Sequence, residues 1–138
     1  MVQKYVLDAC ALVAFVKMEV GFDVVREIIE KANTEQVAVY MNKINLFEVF
    51  YGIRRVEGLP KAEIVYNAIC KLPINIIDNI SDEVFLEASR VKSTYKMSLA
   101  DSIALGEAST MDASLITSDH HEFDIIEKNE NIKFKWVR

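Results

Sequence analysis

Short apolar runs alternate with longer segments of helical periodicity along the whole chain. Runs rich in Val, Ile, Tyr or Phe have the length of strands at 3–8, 36–41, 74–78, 114–118 and 132–137. Apolar residues recur at helical spacing at 9–17, 22–33, 43–57, 60–71, 81–96, 99–111 and 120–128. The first and fourth runs are apolar nearly throughout, which is typical of buried parallel strands.

The order of these elements predicts an α/β fold, in which a parallel sheet carries helices on both faces. Each of the first three connections between strands holds two helices. In such a sheet the binding site lies beyond the carboxyl ends of the strands, where the strand order reverses. The pattern alone does not fix that order.

Length and composition indicate one domain, residues 1–138, because the chain has 138 residues and 51% of them are apolar. A formal charge of −5 counts against proteins that rely on non-specific attraction to phosphate backbones. It does not exclude a nucleic-acid enzyme, because carboxylates gathered around a metal add to the acidic count.

The cysteines and the amino-terminal segment indicate the cellular compartment. Cys10 and Cys70 lie far apart without paired spacing, so we expect small buried thiols in a reducing compartment and no disulfide. Asp8 interrupts the apolar segment at the start of the chain, which argues against a signal peptide. No apolar run has the length of a membrane span. We therefore expect a cytoplasmic protein.

Four acidic residues stand at widely separated places in this pattern. Asp8 ends the first strand run, Asp119 follows the fourth, Glu48 lies on a helix, and Asp101 lies where another helix begins. Carboxylates that one fold could gather are the ligands that an oxygen-bound divalent metal requires. The sequence therefore raises the question of whether folding brings these residues together.

Three of these acids also have a structural interpretation. Asp8 and Asp119 each precede a helix and could simply cap its amino terminus. The segment from Ser98 to Asp101 fits a capping box, and an acid there also complements the helix dipole. Capping and metal binding both remain open for these positions.

Glu48 belongs to a narrow polar stripe on an otherwise apolar helix, together with Asn45, Gly52 and Arg55. The stripe could be the solvated face of that helix. It could also line the crevice, with Asn45 one turn away from Glu48 and able to orient it, and with Gly52 leaving room for substrate.

His120 and His121 could suggest zinc. Adjacent helical residues point about 100° apart, however, so both are poorly placed to reach one ion. The remaining donors are carboxylates, and such hard oxygen ligands suit Mg²⁺ or Mn²⁺.

Four segments, YVLDACAL, NLFEVFYG, MSLADSIALGEA and LITSDHHEF, stand in an order and spacing that resembles the PIN-domain family of metal-dependent ribonucleases. The chain is most similar to its small single-domain members, the toxins of VapBC-type toxin–antitoxin pairs. The resemblance implies a three-layer α/β/α fold with a five-stranded parallel sheet in the order 3-2-1-4-5. It also implies an endoribonuclease that uses Mg²⁺ or Mn²⁺, forms a homodimer and pairs with an antitoxin protein.

The resemblance also assigns residues. Asp8, Glu48, Asp101 and Asp119 match the acidic metal site of the family and would be both catalytic and metal-binding. Glu122 matches a less regular further acid, and it stands one residue later than in many relatives. Ser118 falls where the family often has a small polar residue.

Basic residues near these motifs could contact an RNA backbone. They are Arg54, Arg55, Arg90, Lys92 and Lys96. The stretch that holds the last three leads into the segment of Asp101. The alternative is that these side chains only solvate helix faces.

Two other functions are compatible with the same layers. A receiver-like regulatory domain would accept a phosphoryl group on Asp78, at the end of the third strand, but it would also require an acidic pair after the first strand. A binding module could instead keep the PIN-like fold without catalysis.

Overall fold

A computed structural model describes residues 2–138. Five parallel strands form one sheet in the order β3-β2-β1-β4-β5. The strands are β1 Gln3–Leu7, β2 Val37–Asn42, β3 Ile74–Ile77, β4 Ser114–Thr117 and β5 Lys133–Trp136. The order implied by the resemblance is therefore confirmed, and β1 lies beside β4 at the point where the order reverses.

Helices fill the connections in the predicted way. They are α1 Ala9–Val16, α2 Phe22–Asn33, α3 Lys43–Glu57, α4 Leu59–Cys70, α5 Asp82–Thr94, α6 Leu99–Thr110 and α7 His120–Asn129. Each predicted element is present, with ends within two residues of the expected positions. The first three crossovers carry two helices each, as expected.

The sheet separates two hydrophobic cores. Successive residues of a strand point to opposite faces, so Tyr5 and Leu7 pack with α1–α4 whereas Val6 packs with α5–α7. Both faces of β1 and β4 are covered, which explains why these strands are apolar nearly throughout. The result is the expected three-layer α/β/α arrangement.

Close packing of α5 on α6 fixes the helix that carries Asp101. A Cβ atom on Gly106 would stand 3.0 Å from the carbonyl oxygen of Val84 and 3.2 Å from the Cβ atom of Ala88. Glycine therefore allows the two backbones to approach at this point.

The fold argues against one alternative function and changes one expectation. Asp78 is exposed after β3, an edge strand that β2 separates from β1, so the placement required for a receiver-like site is absent. Cys70 is free as expected but exposed instead of buried, because the neighbouring Ile69 takes the inward position on α4. None of the helices in residues 2–138 combines the length and apolarity needed to cross a membrane.

Candidate metal centre

Asp8 and Asp119 follow the two strands that meet at the reversal of strand order. Leu7 is in register with Ile116, and the Asp8 amide donates to the carbonyl of Ile116 at 3.3 Å. Asp119 caps the amino terminus of α7, two residues after the end of β4. Both residues therefore lie at the carboxyl edge of the sheet, where the site was predicted.

Asp8 is a buried carboxylate, with only 2% of its surface exposed. Its Oδ1 accepts a hydrogen bond from the Ala11 amide at 2.8 Å and so caps α1. Burial, together with the charges of Asp101 and Asp119, raises the pKa of Asp8 to about 7, although hydrogen bonds from Thr117 and from the Ala11 amide lower it. The capping interpretation is therefore correct for Asp8.

Asp101 lies half-buried in the first turn of α6. Its amide donates to Ser98 Oγ at 3.1 Å, so Ser98 caps this helix as predicted. Burial raises the pKa of the Asp101 carboxyl to about 6, and the nearby charges of Glu48, Asp119 and Glu122 add to the rise. Acids from four parts of the chain therefore share one electrostatic environment.

The polar stripe of α3 turns inward and is not a solvated face at its start. Asn45 is fully buried, and its Nδ2 donates to the Ala100 carbonyl at 3.1 Å. Glu48 is half-buried, which raises its pKa. Asn45 thus joins α3 to the residue before Asp101, whereas the expected contact with Glu48 is replaced by this one. Gly52 has open space around its Cα, as expected.

The segment after β4 joins these acids through short contacts. Thr117 Oγ1 accepts from the Asp119 amide at 3.1 Å, and a hydrogen bond from the same side chain partly offsets the raised pKa of Asp8. Asp119 Oδ1 accepts from the Glu122 amide at 3.1 Å and caps α7. Ser118 is buried, and its Oγ lies 2.6 Å from Cys10 Sγ.

Both ring nitrogens of His120 have partners away from the acids. Nδ1 lies 2.7 Å from Asp124 Oδ1 and Nε2 lies 2.8 Å from the carbonyl oxygen of Arg138. The ring stacks on Trp136, with the centroids 3.8 Å apart. His121 is exposed. The protein itself therefore occupies both ring nitrogens of His120.

The basic residues proposed for RNA contact differ in their surroundings. Arg90 pairs with Glu87 at 2.8 Å and with Glu130 at 2.7 Å, and Lys92 donates to the Met97 carbonyl at 2.9 Å. The Arg55 guanidinium lies over the Tyr51 ring. Arg54 and Lys96 are exposed. A role in RNA contact stays a prediction for all five residues, and Arg90 would have to leave two carboxylates.

Three residues near the acids were not predicted from the sequence. Thr117 stands directly before Ser118, and Cys10 stands two residues after Asp8. The contacts of both depend on the register of β1 with β4. Arg138 lines a cavity together with Glu48, Cys10 and Ser118. Of these three residues, only Thr117 had a sequence signal, which is its position directly before Ser118 and Asp119.

The donor set fits a divalent metal of the Mg²⁺ or Mn²⁺ type. Within residues 2–138 no three His, Cys, Asp or Glu side chains already have ligand atoms gathered closely enough to hold an ion. Like charges at this edge repel one another, whereas a cation would favour the ionised acids. Asn45 Oδ1 is a buried oxygen without a hydrogen-bond partner in the described chain, and it lies beside the segment of Asp101. Hard oxygen donors with unsatisfied charge are what such a cation requires.

Comparison with known proteins identifies the family. The PIN domain model matches residues 5–129. No curated protein sequence matches the chain. DNA-bound VapBC from Salmonella typhimurium is similar in fold, with a TM-score of 0.74, 16% identity and 100% of each chain covered. VapBC2 from Rickettsia felis, bound to a promoter DNA fragment, is also similar in fold. Its TM-score is 0.73 and its sequence identity 15%, with 97% of this chain and 98% of that chain covered.

VapC20 from Mycobacterium tuberculosis, a Sarcin-Ricin loop cleaving toxin, has a TM-score of 0.62 and 10% identity, with 91% of this chain and 95% of that chain covered. These likenesses concern the fold, which agrees with the sheet order and layers described above. The family model spans nearly the whole chain, including the positions of all four predicted acids. The chain therefore belongs to the PIN domain family.

Proposed function

We propose that this protein is a Mg²⁺- or Mn²⁺-dependent endoribonuclease and the toxin of a VapBC-type toxin–antitoxin pair. One observation carries the proposal: Asp8, Glu48, Asp101 and Asp119 come from separate segments and meet in one electrostatic environment at the carboxyl edge of β1 and β4. Membership of the PIN family and the Sarcin-Ricin loop cleaving relative support RNA as the substrate.

The acids have separate roles in this proposal. Asp8, Asp101 and Asp119 would hold the ion, and Glu122 could add a further oxygen. Glu48, aided by Asp8, would orient the attacking water or help to hold a second ion. Ser118, which is hydrogen-bonded to Cys10, would form part of the wall of the site. Asn45 would keep α3 and α6 at a fixed separation, because it is buried and bonded across them.

A bound ion would neutralise the scissile phosphate and lower the pKa of the attacking water. The side chains themselves need not form a covalent intermediate. Attack by water would leave a 5′-phosphate and a 3′-hydroxyl. A cyclic phosphate product would instead indicate attack by the ribose 2′-hydroxyl and would contradict this mechanism.

The deciding experiment is cleavage of total RNA with Mg²⁺, with Mn²⁺ and with chelator, followed by mapping of the new ends. We expect cleavage only with metal, and its loss in Asp8→Ala. Asp78→Ala is a matched control, because Asp78 is an exposed aspartate after an edge strand. Metal-independent cleavage, or equal cleavage by Asp8→Ala, would refute the proposal. Absence of any cleavage would favour the alternative of a catalytically silent PIN-fold binding module.

An apolar hollow between α3 and α4 supports an antitoxin partner. It measures about 350 Å³ and is lined by Lys43, Leu46, Phe47, Phe50, Glu63 and Tyr66. The Phe47 side chain is 60% exposed and stands next to Glu48. A partner segment that covers this apolar surface could continue into the crevice and block it. Solved VapBC complexes share the fold, which agrees with a partner of this kind.

We further propose that the protein acts in the cytoplasm as a homodimer. Exposed apolar side chains such as Phe85, Leu86 and Ile64 offer surface for self-association. Size-exclusion chromatography with light scattering tests the homodimer, and a monomer at micromolar concentration would contradict it. Co-purification with the product of a neighbouring gene tests for the antitoxin partner.

A further inference from the structure

A second feature beside the acids is a cavity of about 310 Å³ between α1, α3 and the end of the chain. Val13 and Val49 form apolar walls, and Glu48 and Ser118 form the side toward the acids. Glu19 and Arg138 are exposed at its rim. We call this space the α1–α3 cavity. Its size lies in the range of small-ligand sites.

The cavity is continuous with the proposed metal centre. Glu48 lines the cavity and is itself one of the four acids of the proposed metal centre. The contact between Cys10 and Ser118 forms part of the cavity wall; Ser118 directly precedes Asp119, and Cys10 is two residues after Asp8. A chain whose phosphate lies at the acids could therefore place its neighbouring nucleotide in the cavity.

The fold holds the rim in place from both sides. The Glu19 amide donates to the Ala14 carbonyl at 2.9 Å, which ends the turn after α1. Gly21 has a φ of +102°, and a Cβ there would stand 2.8 Å from Val137 Cγ2, so this loop packs directly on the residue that follows β5. Close packing at Gly21 brings Glu19 and Arg138 to the same rim.

Contacts of its backbone position Arg138. The Val137 amide donates to the Thr117 carbonyl at 3.1 Å, and the Arg138 carbonyl meets His120 Nε2 at 2.8 Å. Among the residues that line the cavity in the described chain, Arg138 is the one basic side chain. It therefore offers the positive charge that a phosphate would meet beside Glu19 and Glu48.

We propose that the α1–α3 cavity binds one unpaired nucleotide next to the scissile phosphate, with its base packed against Val13 and its phosphate on Arg138. This inference rests on the proposed ribonuclease function and adds base selection to it. Apolar walls suit the faces of a base, and a strand that is locally unpaired can turn one base into such a space.

The rim acid determines which bases are favoured. The Glu19 carboxylate only accepts hydrogen bonds, so it favours a base that offers two donors side by side. Guanine offers its N1–H and its 2-amino group together, whereas the Watson–Crick edges of adenine, cytosine and uracil each offer one donor group. Guanine is therefore the base that this site should accept best.

The test is cleavage of a single-stranded RNA pool randomised in sequence, with the bases on both sides of each cut read by sequencing. We expect guanine to be enriched at least threefold at one position beside the cut by wild type. Glu19→Gln, which keeps only one acceptor oxygen, should reduce that enrichment. Glu57→Gln is the matched control, because Glu57 is an exposed glutamate that lies outside this cavity. Equal base frequencies for wild type and Glu19→Gln would overturn the inference.

Two further variants test the walls and the phosphate contact. Val13→Phe should lower kcat/KM at least tenfold by filling the cavity, whereas Val16→Phe, on the same helix but lining a different hollow, should stay within twofold. Arg138→Ala should raise KM at least fivefold with kcat nearly unchanged, since a contact kept throughout the reaction acts on binding. Arg138 and Glu19 are exposed, so their variants should fold even if Val13→Phe does not.

The results separate the two levels of the proposal. If wild type cuts RNA with metal and Asp8→Ala does not, but Glu19→Gln and Arg138→Ala behave as wild type, then only the nucleotide site is wrong. If wild type does not cut RNA with either metal, then the ribonuclease function itself is wrong.

Discussion

The buried side chain of Asn45 donates from Nδ2 to the Ala100 carbonyl at 3.1 Å. This hydrogen bond joins the helix that carries Glu48 to the helix that carries Asp101. Asn45 is fully buried, whereas Glu48 and Asp101 are only half-buried. A hydrogen bond inside the protein therefore sets the relative position of two acids from distant segments. This relationship gives the site a framework that does not depend on a bound ion.

Asn45→Ala should loosen this framework. It removes a buried hydrogen bond between α3 and α6, which costs about 0.5–1.5 kcal/mol of unfolding free energy. We expect the melting temperature to fall by several degrees and the metal-dependent cleavage rate to fall at least tenfold. Asn67→Ala, a change of an exposed asparagine on α4, is the control and should do neither. Unchanged stability and cleavage in Asn45→Ala would remove the framework role.

The raised pKa of Asp8 predicts a pH dependence of stability. Asp8 titrates near 7 in the folded protein against an ordinary value of 3.8. Between these values the folded state holds a proton that the unfolded chain has released. The free energy of unfolding of the metal-free protein should therefore fall as pH rises from about 4 to about 7. Apparent metal affinity should rise over the same interval, because metal and proton compete for the carboxylate.

Urea unfolding in chelator at several values between about pH 5.5 and pH 8 measures this effect. Asp8→Asn is the informative comparison, because an amide does not titrate there and the slope should become shallower. A stability of wild type that rises with pH through this window would contradict the burial of an ionisable Asp8 at the site.

Periodicity was sufficient to predict the elements, because each strand and helix buries the face that its apolar spacing indicates. Asp8, Asp101 and Asp119 could be selected because they stand at strand ends and helix starts, and Glu48 because it lies on a polar stripe of an otherwise apolar helix. Side-chain partners across the fold could not be predicted. Arg90 pairs with Glu130, which is 40 positions away, and Thr117 bridges Asp8 and Asp119 only because β1 and β4 are in register. Such contacts depend on tertiary packing, which local patterns do not encode.

Capping and metal binding can be separated at the start of α6. Ser98→Ala removes the cap at a cost of about 1 kcal/mol and should leave the response to metal intact. Asp101→Asn keeps the Ser98 cap and removes a repelling charge, so the metal-free protein should be at least as stable. The same variant should lose most of the rise in melting temperature that Mg²⁺ or Mn²⁺ gives to wild type. A full metal response in Asp101→Asn would leave capping as the one role of this acid.

The two acids at the start of α7 should differ in their contribution to metal binding. Asp119 uses Oδ1 to accept from the Glu122 amide and lies directly after β4, whereas Glu122 is one turn further along. Asp119→Asn should therefore weaken Mn²⁺ binding at least tenfold, and Glu122→Gln less than threefold, as measured by calorimetric titration near pH 7.5. Asn at position 119 retains a capping oxygen, so a loss of affinity there reflects the lost charge and not a frayed helix. Removing the charge of a direct ligand weakens metal binding more than removing a nearby charge. Equal losses of Mn²⁺ affinity in the two variants would therefore show that Glu122 is a direct ligand, as Asp119 is.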